Sequence, residues 1–208
     1  MHSITLNASL YNYSLFRQRK ANPAFRKLAK QIWQRDDYTC QFCEFQARQF
    51  QEIVNLDQNY RNNKKENLAT ACCFCTQCFF LESVGEGGYG GGLIIYNPHM
   101  SQGEINSLCH VLFCAMINNT EYKESAQAMY RTLRMRSGIV EEKFGEGMSD
   151  PAAFGQTLLD FKMAQRKNPK KLLQNLRLLP SRTRFKKQIE RWAQQAGMSS
   201  PPENTETP

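Results

Sequence analysis

Apolar residues recur every three or four positions in several stretches of this 208-residue chain, which is the spacing of an amphipathic helix. One helix is predicted to begin at Asn22 and Pro23, a capping residue followed by a proline at the first helical position. Another is predicted from residues 101–104, Ser-Gln-Gly-Glu, whose first and last side chains form a capping box. Further helices are predicted over 121–136 and from Asp150 onward. The apolar stripe of the helix with the capping box consists of Ile105, Leu108, Cys109, Leu112, Phe113 and Met116.

Strands are predicted at only a few places. Residues 52–56 form a short β-prone run after a turn, which indicates a small hairpin, and residues 93–98, LIIYNP, are typical of a short buried strand. Residues 67–81 contain no glycine or proline and predict a helix. A few strands beside several helices indicate an α-rich α+β fold with a predominantly helical C-terminal part.

A glycine-rich segment, GEGGYGGG at residues 85–92, interrupts this pattern. It lacks the following Lys-Ser or Lys-Thr of a phosphate-binding loop, and no strand precedes it, so a connector is favoured. We therefore expect an N-terminal module at 1–84 that includes a helix, the connector at 85–92, and a helical part at 93–195. The polar, proline-rich tail at 196–208 is expected to be disordered.

Positive charge is concentrated near the C-terminus. The formal net charge is +8, and the stretch from Lys162 to Arg191 contains eleven basic residues against the single acidic residue Glu190. Such a local excess suggests an acidic binding partner, although charge runs are more often solvated faces.

Within this basic stretch, Phe185, Ile189 and Trp192 lie at positions i, i+4 and i+7 and predict a short amphipathic helix with an aromatic anchor. Such a helix docks either onto the core of its own chain or onto an acidic segment of a partner, and the sequence leaves both alternatives open. We assign these three residues a partner-binding role as an expectation to be compared with the structure.

The spacing of the cysteines indicates a metal site. Six of the eight cysteines fall within residues 40–78. The N-terminus lacks the pattern of a secretory signal, and no apolar run has the roughly 20 residues that a membrane span needs. We therefore expect a cytoplasmic protein with reduced thiols, in which clustered cysteines favour metal binding over disulfides.

Two Cys-x-x-Cys pairs suit one structural zinc ion, because each tight turn directs two thiolates at the same ion. Cys40 and Cys43 form the first pair. The second pair is either Cys72 with Cys75 or Cys75 with Cys78, and the spacing alone does not choose between them.

Outside this cluster, Cys109 and Cys114 are expected to be small core residues, because free cysteine behaves as a buried apolar side chain. His110 lies beside the apolar stripe of its helix and has no partner at the spacing of metal ligands. We assign none of these three residues a functional role.

Three segments together resemble the HNH endonuclease family, namely WQRDDYTCQFCEF (33–45), EIVNLD (52–57) and NNKKENLATACCFC (62–75). The resemblance implies a ββα metal fold, and it favours Cys72 with Cys75 as the second pair of zinc ligands. Where the family has an acidic residue and a general-base histidine, this chain has Asn55 and Leu56.

The closing histidine of the HNH motif is also absent, because residues 76–78 read Thr-Gln-Cys. The histidines of the chain, His2, His99 and His110, lie outside the motif. Phosphodiester hydrolysis needs a base and an ion with open coordination positions, whereas four cysteines close the shell of a zinc ion. We therefore expect a degenerate HNH-like module without catalytic residues or enzymatic activity.

Over its whole length the chain resembles a family of subunits of the coupling complex of bacterial Dot/Icm type IV secretion systems. The resemblance rests on LYNYSLFRQRKANPAFRKLAK (10–30), the degenerate HNH segments and TACCFCTQCFFLESVG (70–85). It implies a cytoplasmic adaptor, recruited to the inner face of the inner membrane without inserting into it. Such an adaptor holds the C-terminal extension of the coupling ATPase DotL, contacts other coupling-complex subunits and helps to present effector proteins for export.

Two other functions compete with that of an adaptor. One is a nucleic-acid-binding protein that retains the HNH shape and places the basic stretch on phosphates. Few aromatic residues lie between its basic residues, which disfavours stacking on bases. The other is an active HNH nuclease with a rearranged site, which the replacements at positions 55, 56 and 76–78 disfavour.

Overall fold

The computed structural model describes residues 1–118, 120–165 and 170–199. The N-terminal half contains α1 (Asn12–Ala21), α2 (Pro23–Arg35), β1 (Gln51–Asn55), β2 (Leu68–Cys72) and α3 (Cys73–Thr76). The remainder contains β3 (Gly92–Tyr96), α4 (Gln102–Ile117), α5 (Lys123–Met135), α6 (Ser137–Phe144), α7 (Pro151–Gln165), α8 (Lys170–Leu173), β4 (Leu176–Pro180) and α9 (Lys186–Ser199). Single 3₁₀ turns cover Lys65–Asn67, Gln77–Phe79, Leu81–Ser83 and Glu86–Gly88. The expected α+β class is confirmed.

Helix α2 begins where the sequence predicts it. The side-chain oxygen of Asn22 accepts hydrogen bonds from the backbone N–H groups of Ala24 (2.9 Å) and Phe25 (3.4 Å), and Pro23 occupies the first helical position. The buried face of α2 packs against apolar residues of the two following strands, including Ile53 and Leu68. This contact places the helix beside the segment that carries the first cysteine pair.

Strands β1 and β2 form an antiparallel hairpin in which Gln51 pairs with Cys72 and Asn55 pairs with Leu68. The predicted strand at 52–56 is therefore shifted by one residue, and the prediction of a helix over 67–81 is wrong for its first part. All five residues of β2 are buried, so pairing with β1 and burial on both faces outweigh helix propensity there. The helix is confined to α3, and single 3₁₀ turns follow it.

Strand β3 confirms the predicted buried strand, but its partner β4 lies within the basic stretch, where no strand was predicted. The two strands are antiparallel, with Gly92 opposite Pro180 and Tyr96 opposite Leu176. The sequence of β4, Leu-Arg-Leu-Leu-Pro, is short and contains a charge, so only its pairing with a strand about 80 residues earlier identifies it.

Helix α4 begins at the predicted capping box, in which Glu104 N–H donates to Ser101 Oγ (3.2 Å) and Ser101 N–H donates to a Glu104 carboxylate oxygen (2.6 Å). A Cβ atom at Gly103 would lie 2.3 Å from the backbone oxygen of Phe42, so the start of α4 packs directly on the first Cys-x-x-Cys segment. Residues of α4 and α9 share one core cluster with the cysteines. The cysteines of the two Cys-x-x-Cys segments therefore lie where the N-terminal hairpin meets the later helices.

Helices α5 and α7 agree with the predicted helices over 121–136 and after Asp150, whose carboxylate caps α7 by accepting from Ala152 and Ala153 N–H groups (both 2.9 Å). No helix in the described part of the chain is long and apolar enough to cross a membrane. The expected disordered tail at 196–208 is wrong for residues 196–199, which belong to α9, and its remainder from residue 200 onward lies outside the described residues.

Candidate metal centre

Four cysteine side chains meet in the core at the end of the β1–β2 hairpin. The sulfur atoms of Cys40, Cys43, Cys72 and Cys75 all lie within 4.8 Å of one another, and all four residues are buried. Two of these sulfur atoms, Cys43 Sγ and Cys72 Sγ, lie 3.6 Å apart. The structure thus brings together two pairs that are about 30 residues apart in sequence.

Local backbone geometry positions each pair. Cys40 N–H donates to Phe45 O and Glu44 N–H donates to Cys40 O, both at 2.9 Å, and Glu44 adopts a left-handed conformation with φ 63°. This tight turn directs Cys40 and Cys43 to one side. Cys72 is the last residue of β2 and Cys75 lies in α3, so the step from strand to helix directs the second pair at the first.

The arrangement fits a metal ion with four sulfur ligands. Thiolates bound to zinc at roughly 2.3 Å in a tetrahedron lie about 3.8 Å apart, close to the spacing seen here. The four sulfur donors would complete the coordination shell, which is the pattern of a structural site rather than a catalytic one. These four cysteines can therefore hold a metal ion whose effect would be on folding.

The thiol pKa values agree with this chemistry. Burial raises the pKa of Cys72 and Cys75 well above the usual value. Burial also acts to raise the pKa of Cys40, but hydrogen bonds from the other three thiols outweigh it and lower that pKa well below the usual value. Zinc binds cysteine as the thiolate, so an ion that entered this buried group would displace the protons of its thiols.

The structure separates Cys72 from its alternative, Cys78. Among the described residues, the four-sulfur group contains Cys72 and not Cys78, whose thiol instead donates to Phe74 O at 3.4 Å. Cys109 is fully buried in the core, and Cys114 is half-buried and accepts from Asn118 Nδ2 at 3.4 Å.

Two residues of α4 that the sequence analysis did not select contact the cysteine group. Asn106 Nδ2 donates to Cys75 Sγ at 3.2 Å, and His110 Nε2 lies 3.3 Å from Cys72 Sγ. Both residues are buried, and they are four positions apart, so they occupy one face of α4. A metal-bound thiolate carries no proton and can only accept, so a bound ion would select the His110 tautomer with its proton on Nε2. Helix α4 thus supplies a hydrogen-bond donor to Cys75, and with an ion bound it would supply a second one to Cys72.

Aromatic rings fix the orientation of His110. Its ring is stacked between Phe45, at a centroid distance of 3.6 Å, and Phe74, at 4.3 Å, and the edge of Trp192 approaches it at 5.1 Å. Burial lowers the pKa of His110 to about 3, so the imidazole is neutral at physiological pH. A neutral, stacked ring is suited to orienting a ligand and not to exchanging protons with solvent.

Replacement of Asn106 by leucine tests whether α4 stabilises the bound ion. We expect Asn106→Leu to release zinc to a competing chelator about 10- to 100-fold more readily than the wild type, because donors to a metal ligand contribute at this scale. The matched control is Asn118→Leu, which removes an amide donor to Cys114, a cysteine of the same helix outside the four-sulfur group. Equal zinc release by both variants would show that α4 has no such role.

Asn55 and Leu56, where the sequence departs from the HNH pattern, lie at the end of β1 and directly after it. The amide of Asn55 is fully engaged, because its Oδ1 accepts from Arg19 while its Nδ2 donates to Asn59 O (2.9 Å) and Asn62 O (2.7 Å). Burial lowers the pKa of Arg19 to about 10. Leu56 is partly exposed and offers no polar atom. The contacts of Asn55 hold the loop between β1 and β2.

The predicted partner-binding residues Phe185, Ile189 and Trp192 lie against the core of the chain itself, and each is less than 10% exposed. Phe74 packs against Phe185 at a centroid distance of 4.8 Å and against Trp192 at 5.6 Å. The Trp192 indole N–H donates to Gln49 O at 3.1 Å. This packing favours the alternative in which the helix docks intramolecularly, and the partner-binding role of these residues stays a prediction.

Fold and site together define an α+β protein with a hairpin and helices packed around a buried four-cysteine centre. No model of a known protein family matches the chain. The chain is similar to the Type 4 apparatus protein DotN of Legionella pneumophila, with 58% identity over 193 residues that cover 93% of this chain and 90% of that protein. Identity at this level over nearly the full length shows that the chain belongs to the DotN family.

Proposed function

We propose that the chain is a non-enzymatic adaptor subunit of a Dot/Icm type IV secretion coupling complex. It acts in the cytoplasm at the inner face of the inner membrane, where it binds the C-terminal extension of the coupling ATPase DotL and other coupling-complex subunits and helps effector export. The observation that carries this proposal is the identity of 58% with a protein named as a type 4 apparatus component. The partner and the location extend beyond that name and rest on the whole-chain resemblance.

One zinc ion, bound by Cys40, Cys43, Cys72 and Cys75, would stabilise the adaptor. The buried set of four sulfurs supports this assignment, as do the contacts of Asn106 and His110 with two of these sulfurs. Zinc bound in this way would hold the hairpin and α3 against α4 and supply folding energy without chemistry. The adaptor surface would then be presented on a fixed scaffold.

Absence of nuclease activity is the second part of the proposal. We expect plasmid DNA to remain uncleaved above background with Mg²⁺, Mn²⁺ or Zn²⁺, because general-base assistance alone contributes about 10² to 10⁴ in rate and Leu56 cannot supply it. The control is Asn67→Ala, which alters the motif asparagine. Metal-dependent cleavage by the wild type that disappears in this variant would establish an active HNH site and contradict the proposal.

Affinity purification from the native host tests the proposed partner. The tagged chain, expressed at its normal level and analysed by mass spectrometry, is expected to enrich the coupling ATPase over an unrelated tagged protein. Enrichment should persist after nuclease treatment of the lysate. Recovery of nucleic acid without the ATPase would instead support the nucleic-acid-binding alternative.

A further inference from the structure

Four arginine side chains surround a cleft of about 550 Å³ that lies away from the metal centre. Arg131 and Arg134 come from α5, whereas Arg182 and Arg184 come from the turn between β4 and α9. Gly85, Gly91 and Gly92 of the glycine-rich segment, residues 85–92, also line the cleft. All four arginines are exposed, so their guanidinium groups are available to a ligand.

These positive charges are not neutralised within the described residues of the chain. None of the four guanidinium groups forms an ion pair there. The one carboxylate in the lining, Asp150, is engaged in capping α7. Four like charges around one concave surface repel one another, and an anionic ligand would relieve that repulsion.

The glycine-rich segment positions one of these arginines. Gly91 has φ +148°, and a Cβ atom there would lie 2.4 Å from Arg184 Cγ and 2.8 Å from Arg184 Cβ. The stem of Arg184 therefore lies against the backbone of Gly91 in a space that only glycine leaves open. Gly91 N–H also donates to Gln77 Oε1 at 2.9 Å, which ties this backbone to the turn after α3. Gly91 thus lets the side chain of Arg184 pack directly on the backbone of the glycine-rich segment. This role goes beyond that of a connector between the N-terminal module and the helical part.

The lining indicates which kind of anion fits. Val84, Leu93 and Met116 contribute apolar surface to the same cleft. Among the described residues, Tyr130 is the one aromatic residue in this lining, its hydroxyl donates to Pro180 O at 2.8 Å, and its ring makes a T-shaped contact with Phe113. A single ring is a poor platform for stacking successive bases. Arginine binds carboxylates and phosphates alike through paired hydrogen bonds, so the apolar lining decides between them. An acidic peptide with an aliphatic side chain matches this combination better than a nucleic-acid backbone does.

We propose that this cleft, bounded by Arg131, Arg134, Arg182 and Arg184, is the docking site for an acidic peptide segment of a partner protein. The arginines bind its carboxylates, and the apolar floor takes one of its aliphatic side chains. This inference rests on the proposed adaptor function and names the surface through which the adaptor would bind its partner. It also relocates the partner site from Phe185, Ile189 and Trp192, which face the core.

Fluorescence anisotropy with the purified, metal-loaded full chain tests the proposal. The probe is a short fluorescein-labelled peptide of repeated Glu-Glu-Leu triplets, and single-stranded DNA with the same label is the second probe. The cleft variant is Arg131→Gln/Arg184→Gln. Its matched control is Arg26→Gln/Lys30→Gln, which removes the same charge from exposed positions of α2. We expect the cleft variant to bind the peptide roughly tenfold or more weakly, because charge-assisted hydrogen bonds are lost, and the control to bind within about twofold of wild type.

Equal weakening in the cleft and control variants would overturn the proposal, because bulk charge would then explain binding. Unchanged peptide binding by the cleft variant would also overturn it, as would tighter binding of DNA that depends on the cleft arginines. The purified ATPase extension serves as a further probe that separates the two proposals. If the extension does not bind the wild type, the proposed function is contradicted. If the extension binds the wild type and the cleft variant equally, the cleft proposal alone is overturned.

Discussion

A chelator that withdraws zinc from Cys40, Cys43, Cys72 and Cys75 is expected to unfold the protein, with loss of the cooperative thermal transition. The apparent binding energy of structural zinc is on the order of 10 to 16 kcal/mol, whereas whole domains are stable by roughly 5 to 15 kcal/mol. The four sulfurs also lie in the core cluster that α4 and α9 share, so the effect should extend beyond the hairpin. Circular dichroism during titration with a chelator, followed by addition of zinc, measures the loss and its recovery.

Single replacements refine this test. Cys72→Ser should lower the zinc content to well below one ion per chain, whereas Cys114→Ser, outside the four-sulfur group, should retain it. Acid should release zinc from the wild type, because the ligands bind the ion as thiolates and recapture protons as the pH falls. Freshly purified wild-type protein without zinc by elemental analysis would contradict the assignment, and so would full zinc content in Cys72→Ser combined with its loss in Cys78→Ser.

Replacement of Trp192 by alanine is expected to lower the free energy of unfolding by about 3 to 5 kcal/mol, the usual cost of truncating a large buried aromatic side chain. Trp192 packs against Phe74 and the ring of His110, and its indole N–H ties α9 to Gln49. Its loss would therefore loosen α9 and the aromatic stack that orients His110. Denaturant unfolding of metal-loaded protein measures the change.

The matched control is Tyr122→Ala, which removes an aromatic side chain that is 64% exposed and should change stability by less than about 0.5 kcal/mol. If α9 docks only within the chain, Trp192→Ala lowers stability while folded protein at low temperature still binds the ATPase extension. Unchanged stability together with loss of that binding would show that Trp192 contacts the partner.

Local chemistry explains which parts of this fold the sequence could predict. The starts of α2 and α4 were predicted because their caps are formed by residues within three positions of the helix start. The first cysteine pair was found for a similar reason, since it requires only a spacing of three. Spacing left the second pair open between Cys72 with Cys75 and Cys75 with Cys78, and the choice of Cys72 rested on the resemblance to HNH endonucleases. By contrast, β2 and β4 are defined by pairing with strands far away in sequence, and no local pattern distinguished them from helical segments.

Distance along the chain also explains what was missed at the metal centre. Asn106 and His110 lie 31 and 38 residues from the cysteines they contact. Their spacing of four on the edge of an apolar stripe was visible in the sequence, but it did not reveal which element they face. The arginine cleft shows the same limit, because the basic stretch predicted an acidic partner without showing that α5 contributes half of the arginines.

Binding of the purified C-terminal extension of the coupling ATPase to the purified chain tests the adaptor function most directly. Isothermal titration calorimetry with metal-loaded protein is expected to show saturable binding, which chelation abolishes and added zinc restores, because unfolding removes the surface that binds the extension. Failure of folded, metal-loaded protein to bind the extension under these conditions would contradict the account.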